Sequence, residues 1–410
     1  MPDESQEAPI GASGENPFLN SSEEPQAPFF TESAGDAADT HLLPFQVVGI
    51  GASAGGLEAY LELLRSLSPE TGMAFVFVSH LSGEHKSQLV PILSRHTTMP
   101  VTEIADGMRC EPNHVYVLPP NARVRIDQGR LKLEPRPARE RIPRPIDDFF
   151  RSLAADQKNH AVGVVLSGAD SDGALGLKAI KGEGGIAMVQ SPESARFPDM
   201  PLSGIAEDHV DLVLPPGRIG IELAHLAEQF ARPELKPLEE GSIPQDDEQQ
   251  FARILAILRS VSGIDFRNYK PTTLRRRLAR RMMLKHVDSM PEYIRHMQAR
   301  PEEARELQED VLINVTSFFR DPDVFEALKS ELFPRILEVD SPDQPIRIWS
   351  AGCSTGEETY SLAISLLESM ASLPIEPAIQ IFGTDASEQS IEKARAGIYP
   401  VMIANEVSPE

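Results

Sequence analysis

The chain has 410 residues, 41% of them hydrophobic, and a formal net charge of -23. That length allows two or three domains with real cores, and so acidic a chain is not a general nucleic-acid binder. No apolar run is long enough to span a membrane, no secretory leader is evident, and two cysteines, Cys110 and Cys353, cannot build a disulfide framework; a reducing cytoplasm is the expected compartment.

Residues 1–43 carry nine Asp/Glu, no Lys or Arg, and no apolar periodicity. They are expected to form a disordered acidic tail. From 44 to 231 strand and helix signals alternate. Strands are predicted over 46–50, 74–79, 115–118, 161–166, 186–190 and 211–214, and a hairpin over 123–126 and 130–133. Helices are predicted over 57–67, 87–94, 146–156, 174–181 and 218–229. The alternation implies an α/β fold, a doubly wound and mostly parallel sheet with ligands at the C-terminal strand ends.

The first strand ends in Gly51-Ala-Ser53-Ala-Gly55, the G-x-S-x-G pattern of a nucleophile elbow. Glycines let the chain turn sharply and leave the Ser53 hydroxyl exposed at a helix N-terminus, where backbone N–H groups can hold an oxyanion. Gly49-x-Gly51-x-x-Ala54 also fits a dinucleotide fingerprint, and a plain tight turn is a third reading. The second strand runs into His80, and the strand at 161–166 into Ser167-Gly-Ala-Asp-Ser-Asp-Gly173. Serine, histidine and carboxylate on one sheet edge are what acyl transfer needs. A dinucleotide site wants an acid at the second strand end, where Ser79-His80 stands instead. The blander alternatives are a loop histidine at 80, and a metal pair or helix cap at Asp170 and Asp172. His85, His96, His114, His160 and His209 compete with His80, but none directly ends such a strand.

Gly49-Ile-Gly-Ala-Ser-Ala-Gly-Gly56, Ser79-His80, Ser167-Gly-Ala-Asp-Ser-Asp-Gly-Ala174 and Asp199-Met-Pro201 resemble, in this order, the blocks of the chemotaxis protein-glutamate methylesterase (CheB-type) family. The resemblance covers roughly 45–229 and implies a Ser53–His80–Asp172 triad with no cofactor and no metal. Ala169 stands where the family commonly has methionine, beside the expected oxyanion site. The family often carries a preceding receiver domain. None is recognised in 1–43, so an esterase not gated by phosphorylation in cis is expected.

Residues 232–250 are Pro-rich and acidic and read as a linker. From 251 to 329 the signals are helical. Lys270-Pro-Thr-Thr-Leu-Arg-Arg-Arg-Leu-Ala-Arg-Arg281 has six basic residues, with Leu274, Leu278 and Met282 as an apolar stripe. The arginines are therefore expected to face outward, to solvent or to an acidic partner surface. No aromatics interleave with them, which argues against nucleic acid. In 330–410, a strand leads into Ala351-Gly-Cys-Ser-Thr-Gly-Glu-Glu358 and a helix, and a second strand ends in Thr384-Asp385. This is the scheme of a nucleoside-cofactor site.

Asn314-Val-Thr-Ser-Phe-Phe-Arg320, the glycine block and Gly383-Thr-Asp-Ala-Ser387 resemble the chemotaxis receptor methyltransferase (CheR-type) family. The resemblance implies a small all-α domain, whose basic helix touches receptors, and the start of a Rossmann-like sheet. Asn314, Thr316, Arg320, Glu358 and Asp385 would hold S-adenosyl-L-methionine. Thr359 replaces the usual proline. Two strand signals are fewer than the family's sheet has, so a fragment or a vestigial methyltransferase region is expected. The leading reading is a bifunctional enzyme that removes and adds methyl groups on glutamates of methyl-accepting receptors, with histidine kinase signalling components as wider partners. The rivals are a signalling scaffold with an active esterase, and a generic serine esterase with a nucleotide-binding regulatory half.

Overall fold

The longest apolar runs become strands buried on both faces. The computed structural model describes residues 42–79, 88–135, 143–207, 209–231, 245–312, 316–337, 345–371, 377–399, 403 and 407. Of the expected tail at 1–43, residues 1–41 lie outside the described residues, as do His80, Asn314 and most of the linker; Leu43, placed in the tail, is instead buried in the first lobe with its amide donating to Gln157 Oε1 at 3.1 Å. The first lobe runs β1 (Val47–Ala52), α1 (Gly56–Ser66), β2 (Ala74–Ser79), α2 (Leu89–Leu93), β3 (Val101–Glu103), β4 (Met108–Arg109), β5 (His114–Val117), β6 (Ala122–Asp127), β7 (Arg130–Pro135), α3 (Pro145–Gln157), β8 (Ala161–Val165), α4 (Ala174–Gly182), β9 (Ile186–Gln190), α5 (Asp199–Ala206), β10 (Leu212–Leu214) and α6 (Pro216–Phe230).

Seven strands form one parallel sheet in the order β10-β9-β8-β1-β2-β5-β3. Alternate residues of β1 feed two cores. Val48 and Ile50 pack with Tyr60 and Leu63 of α1 and Leu223 of α6. Val47 packs on the other face with Phe149 and Phe150 of α3 and Leu177 of α4. Helices thus cover both faces, as the alternation predicts. Strand order reverses around β1, between β8 and β2, and this switch point is where such sheets open a crevice. The predicted hairpin is β6–β7, turning through Gln128 (φ 52°) and Gly129 (φ 69°), with β4 added at its edge. Two consecutive left-handed residues suit a tight two-residue turn. Sequence patterning missed β3, which is three residues long and only partly buried, and α5, which carries Pro201 in its first turn.

A helical bundle follows: α7 (Gln245–Ser262), α8 (Pro271–Leu284), α9 (Met290–Ala299) and α10 (Pro301–Val311). Its core, including Phe251, Ile254, Leu278, Met282, Tyr293 and Leu307, is continuous with the α1/α6 core of the first lobe. The outward orientation expected for the α8 arginines is wrong for three of them. Arg277, Arg280 and Arg281 are buried. Leu274, Leu278 and Met282 do face the bundle core, but the neighbouring flank of α8 lies against the first lobe. Arg277 donates to the carbonyls of Lys181 (2.6 Å) and Gly182 at the end of α4. Arg280 donates to the Gly185 carbonyl at 2.8 Å and pairs with Asp211 and Asp310. Arg281 pairs with Glu303 at 2.8 Å. Burial alone would raise the Asp211 pKa, but Arg280 and Lys181 hold it below the ordinary carboxylate value.

The last region contains α11 (Pro322–Ala327), α12 (Phe333–Leu337), β11 (Ile346–Ala351), α13 (Glu357–Met370), β12 (Ile379–Thr384) and α14 (Glu388–Ala396). β11 and β12 pair in parallel, which matches the predicted start of a Rossmann-like sheet. Trp349 is 71% exposed and Phe382 53%. No helix among the described residues is long and apolar enough to cross a membrane.

Candidate functional site

Ser53 follows β1 and is half-buried. Gly51 is needed because a Cβ there would stand 2.4 Å from Ile146 Cγ2, so α3 could not pack beneath the turn. Gly55, at φ 73°, ends the turn in a backbone conformation that disfavours side chains. The end of β8 ties the elbow down. Leu166 N donates to Gly51 O (2.9 Å) and Ser53 N to Ser167 O (3.0 Å). The Ser167 hydroxyl donates to Ala54 O at 2.8 Å and accepts from Phe197 N at 3.0 Å. A Cβ on Gly168 would lie 3.1 Å from Ser53 Cβ, so this loop passes directly against the serine. Tyr60 fastens the neighbouring strand end, donating to Val78 O at 3.0 Å and lying 3.1 Å from Ser79 Oγ. Burial pushes its phenol well above the ordinary range.

Asp172 is buried on the same sheet edge. Its Oδ2 accepts from Ile146 N (3.0 Å) and its Oδ1 from Asp147 N (2.9 Å), the first amides of α3. Asp147 returns the arrangement. Its Oδ1 accepts from Gly173 N (3.0 Å), just before α4, and from Gly176 N (2.7 Å) in its first turn, while Arg144 lies 3.3 Å from its Oδ2. Asp172 thus caps α3, the helix that carries Asp147, and Asp147 caps α4, the helix that follows Asp172, so Asp172 is set by two backbone donors with a second carboxylate beside it. Asp172 is thus a helix cap, but of α3 rather than of the following helix. Burial, with the Asp172 charge second, pushes the Asp147 pKa up to about 7. Sequence reading missed Asp147. Pro145 followed by acidic residues marks a helix start, but nothing in the spacing ties it to Asp172.

The structure therefore places Ser53 directly after β1 and Asp172 in the loop that follows β8, two strands that pair in register. β2 ends at Ser79, paired with Ala52, and His80 lies outside the described residues. Among the competing histidines, His114 is 2.8 Å from Thr102 Oγ1, and His160 Nδ1 is 2.7 Å from Leu43 O. Burial pushes His209 down to about 3, helped by Lys178, Lys181 and Lys393.

The second candidate site is a cleft of about 440 Å³ at the end of β11. Thr316, Arg320 and Glu358 line it, with Gly352, Cys353 and Ser354 of the glycine turn. Gly352 and Cys353 amides donate to Thr384 O, joining the two strand ends. Asp385 does not line the cleft directly. Its carboxylate accepts from Ser354 N (2.9 Å) and Ser387 N (2.8 Å) and so shapes the turn. Glu358 accepts from Ser350 Oγ at 2.8 Å. A nucleoside cofactor fits these residues. A Cβ on Gly352 would meet nothing within 4 Å, so the backbone is open to close approach, and Ser354 Oγ is buried without a partner. The volume is that of a small-molecule site. Gly182 and Glu183 of the first lobe form part of the wall, and Lys178 reaches Glu357 at 3.8 Å.

Together these features define a doubly wound α/β domain with a serine elbow at its switch point, joined to a helical bundle and a nucleoside-type strand–turn–helix. Family models match each part: "CheB methylesterase" over residues 48–223, "CheR methyltransferase, all-alpha domain" over 249–312, and "CheR methyltransferase, SAM binding domain" over 314–410. A putative protein-glutamate methylesterase/protein-glutamine glutaminase of Leptospira interrogans is 33% identical over 197 residues, covering 48% of this chain and 98% of that protein. The chain belongs to the CheB methylesterase family and carries CheR methyltransferase regions behind it. An uncharacterized 104.1 kDa protein of Rhodobacter capsulatus is 35% identical over 336 residues, 77% of this chain. Chemotaxis protein methyltransferase 2 of Pseudomonas aeruginosa is 34% identical over 153 residues, 37% of this chain. The chain spans 35% of the length of the Rhodobacter protein and 52% of the Pseudomonas one.

Proposed function

We propose that the first lobe hydrolyses methyl esters of glutamate side chains on chemotaxis-type receptors, with Ser53 as nucleophile, His80 as general base and acid, and Asp172 as its orienting carboxylate. The observation that carries this reading is the buried, backbone-held Asp172 on the strand edge that also clamps the Ser53 turn. In the first step Ser53 Oγ attacks the ester carbonyl and its proton passes to His80. The tetrahedral intermediate expels methoxide, which takes that proton and leaves as methanol. Water, deprotonated by His80, then attacks the acyl-serine, and the proton returns to Ser53 as the glutamate carboxylate departs. Ser53's own amide is bonded to Ser167. Oxyanion donors are therefore assigned to the amides of Ala54 and Ala169, which carry no hydrogen bond among the described residues. These steps use side chains and backbone alone. The same steps release ammonia from a glutamine side chain, the second activity in the names of the relatives.

The C-terminal region is proposed to hold S-adenosyl-L-methionine through Asn314, Thr316, Arg320 and Glu358, with Asp385 fixing the turn against which it lies. The bound cofactor supplies an already activated sulfonium methyl, so the chain's task is to position a receptor carboxylate beside it. Receptors are the substrates in this reading, histidine-kinase signalling components the wider partners, and the cytoplasm the compartment. Both cysteines being buried free thiols suits a reducing compartment.

The test of the esterase reading is methanol release from a methylated receptor peptide, compared with hydrolysis of a simple aryl ester. The expected result is strong preference for the peptide, and loss of about a thousandfold or more in Ser53→Ala. Unchanged methanol release in that variant sinks the assignment. Calorimetric titration with S-adenosyl-L-methionine tests the second site, where binding weakened by Glu358→Ala is expected.

A further inference from the structure

A cluster of ligand-type side chains stands where α6 of the first lobe meets the end of α8 of the bundle. Glu222 and His225 are one helical turn apart on α6, and His286 follows α8. One donor atom from each lies within 4.8 Å of the other two. His286 Nε2 is 3.3 Å from Glu222 Oε1, and His225 Nδ1 is 4.0 Å from Glu222 Oε2. The two imidazoles meet edge to face at 5.6 Å. None of these residues belongs to either site described above.

Three observations point to a ligand rather than to a simple ion pair. Glu222 Oε1 is buried and has no hydrogen-bond donor, although His286 Nε2 is close by. A buried carboxylate oxygen without a donor is costly, and a cation removes that cost. Among the described residues, the ion pairs of Glu222 come only from these two histidines, so no lysine or arginine competes for the position. The third is the spacing. Two ligands on a tetrahedral ion at about 2.0–2.1 Å each stand roughly 3.3 Å apart, which is the His286–Glu222 separation. The remaining gaps are within reach of a rotation of the two imidazoles, each about half exposed.

We propose that Glu222, His225 and His286 bind one divalent transition ion of the zinc class, pinning the helical bundle to the esterase lobe. Two imidazoles and one carboxylate suit zinc rather than magnesium or calcium, which prefer all-oxygen shells. The exposed histidine faces leave the fourth position to water. Because the ligands come from both lobes, the ion binds the docked arrangement and stabilises it by mass action.

The full chain, stripped with chelator, is titrated with Zn²⁺ against a chromophoric competitor. One saturable equivalent is expected, with a rise in melting temperature. His225→Ala and His286→Ala each weaken binding by at least about tenfold and abolish the thermal shift, while His96→Ala, outside the cluster, changes neither. Glu222→Gln serves as a second variant, since it keeps the shape of the α6 surface and removes the anionic ligand. Absence of saturable binding overturns the proposal. So does binding that survives the double variant His225→Ala/His286→Ala unchanged. Neither readout depends on esterase or methyltransferase turnover, so failure here leaves the triad assignment standing.

Discussion

The two sites of this chain use the same local device, a strand running into a glycine turn and a helix, yet they are supported very differently. All six residues of β1 are buried between helices on both faces, and the turn after it is bonded from β8. β11 pairs only with β12 among the described residues, and every second residue along it is exposed. The first turn is held by a closed core and presents a fixed serine. The second is held by Thr384 O, which accepts from Gly352 and Cys353 N, and by Asp385, which accepts from Ser354 N, beside a cleft partly walled by the other lobe. A pre-set turn suits covalent chemistry, where small displacements of the nucleophile cost rate. An open turn suits a site that admits a cofactor.

The comparison breaks first at Asp172. Asp172→Asn is expected to lower esterase kcat by about 10⁴-fold, because an amide in its place misaligns the histidine tautomer, and to cost some stability as well, since the amide can accept only one of the two α3 N–H bonds. Far-UV circular dichroism alongside the kinetics checks it, and a loss under tenfold would remove Asp172 from the site. Next is the contact that joins the first lobe to the helical bundle. Arg280→Ala takes their shared guanidinium from buried Asp211 and Asp310, leaving Lys181 at 3.4 Å from the first and Arg281 at 4.0 Å from the second, and is expected to cost about 3–5 kcal/mol in urea unfolding. Arg280→Met together with Asp211→Asn and Asp310→Asn should recover much of that. A smaller effect is expected at Ser167, whose hydroxyl bonds two backbone groups around the elbow. Ser167→Ala should destabilise by about 1–3 kcal/mol and lower esterase kcat while sparing S-adenosyl-L-methionine binding.

The smallest effect is a pH dependence confined to the first region. Asp147 has a folded-state pKa of about 7 against an ordinary 3.8. Between those values the folded state holds a proton that the unfolded chain releases. Its contribution to stability is therefore complete below about 4 and is lost as pH rises through 7. Relative to wild type, Asp147→Asn should be flatter over that window in melting temperature measured against pH. Parallel curves would mean that the Asp147 carboxyl is charged throughout.

Much of the first region was legible because fully buried parallel strands leave unbroken apolar runs, and because the blocks bearing Ser53 and Asp172 follow directly on such runs. The reciprocal capping of α3 and α4 was not legible. It joins Asp147 to a loop some 25 residues away, through backbone amides that every sequence possesses. The α8 arginines misled for a related reason. Helical periodicity separates an apolar face from a polar one, but an arginine satisfied by the carbonyls of Lys181, Gly182 and Gly185 leaves the same pattern as one satisfied by water. In the C-terminal region the glycine turn and Asp385 were found by pattern. That Asp385 spends its carboxylate on Ser354 N of the turn and on Ser387 N of its own loop was visible only in three dimensions.

The central claim is that Ser53 is the nucleophile of the pre-set turn, and rapid acid quench with mass spectrometry of the peptide bearing residue 53 tests it most directly. During turnover of a methylated receptor peptide, the account predicts a transient acyl adduct on Ser53 that forms with the release of methanol and is absent in Ser53→Ala. Methanol release at the wild-type rate from Ser53→Ala, or an adduct on another residue, would contradict it.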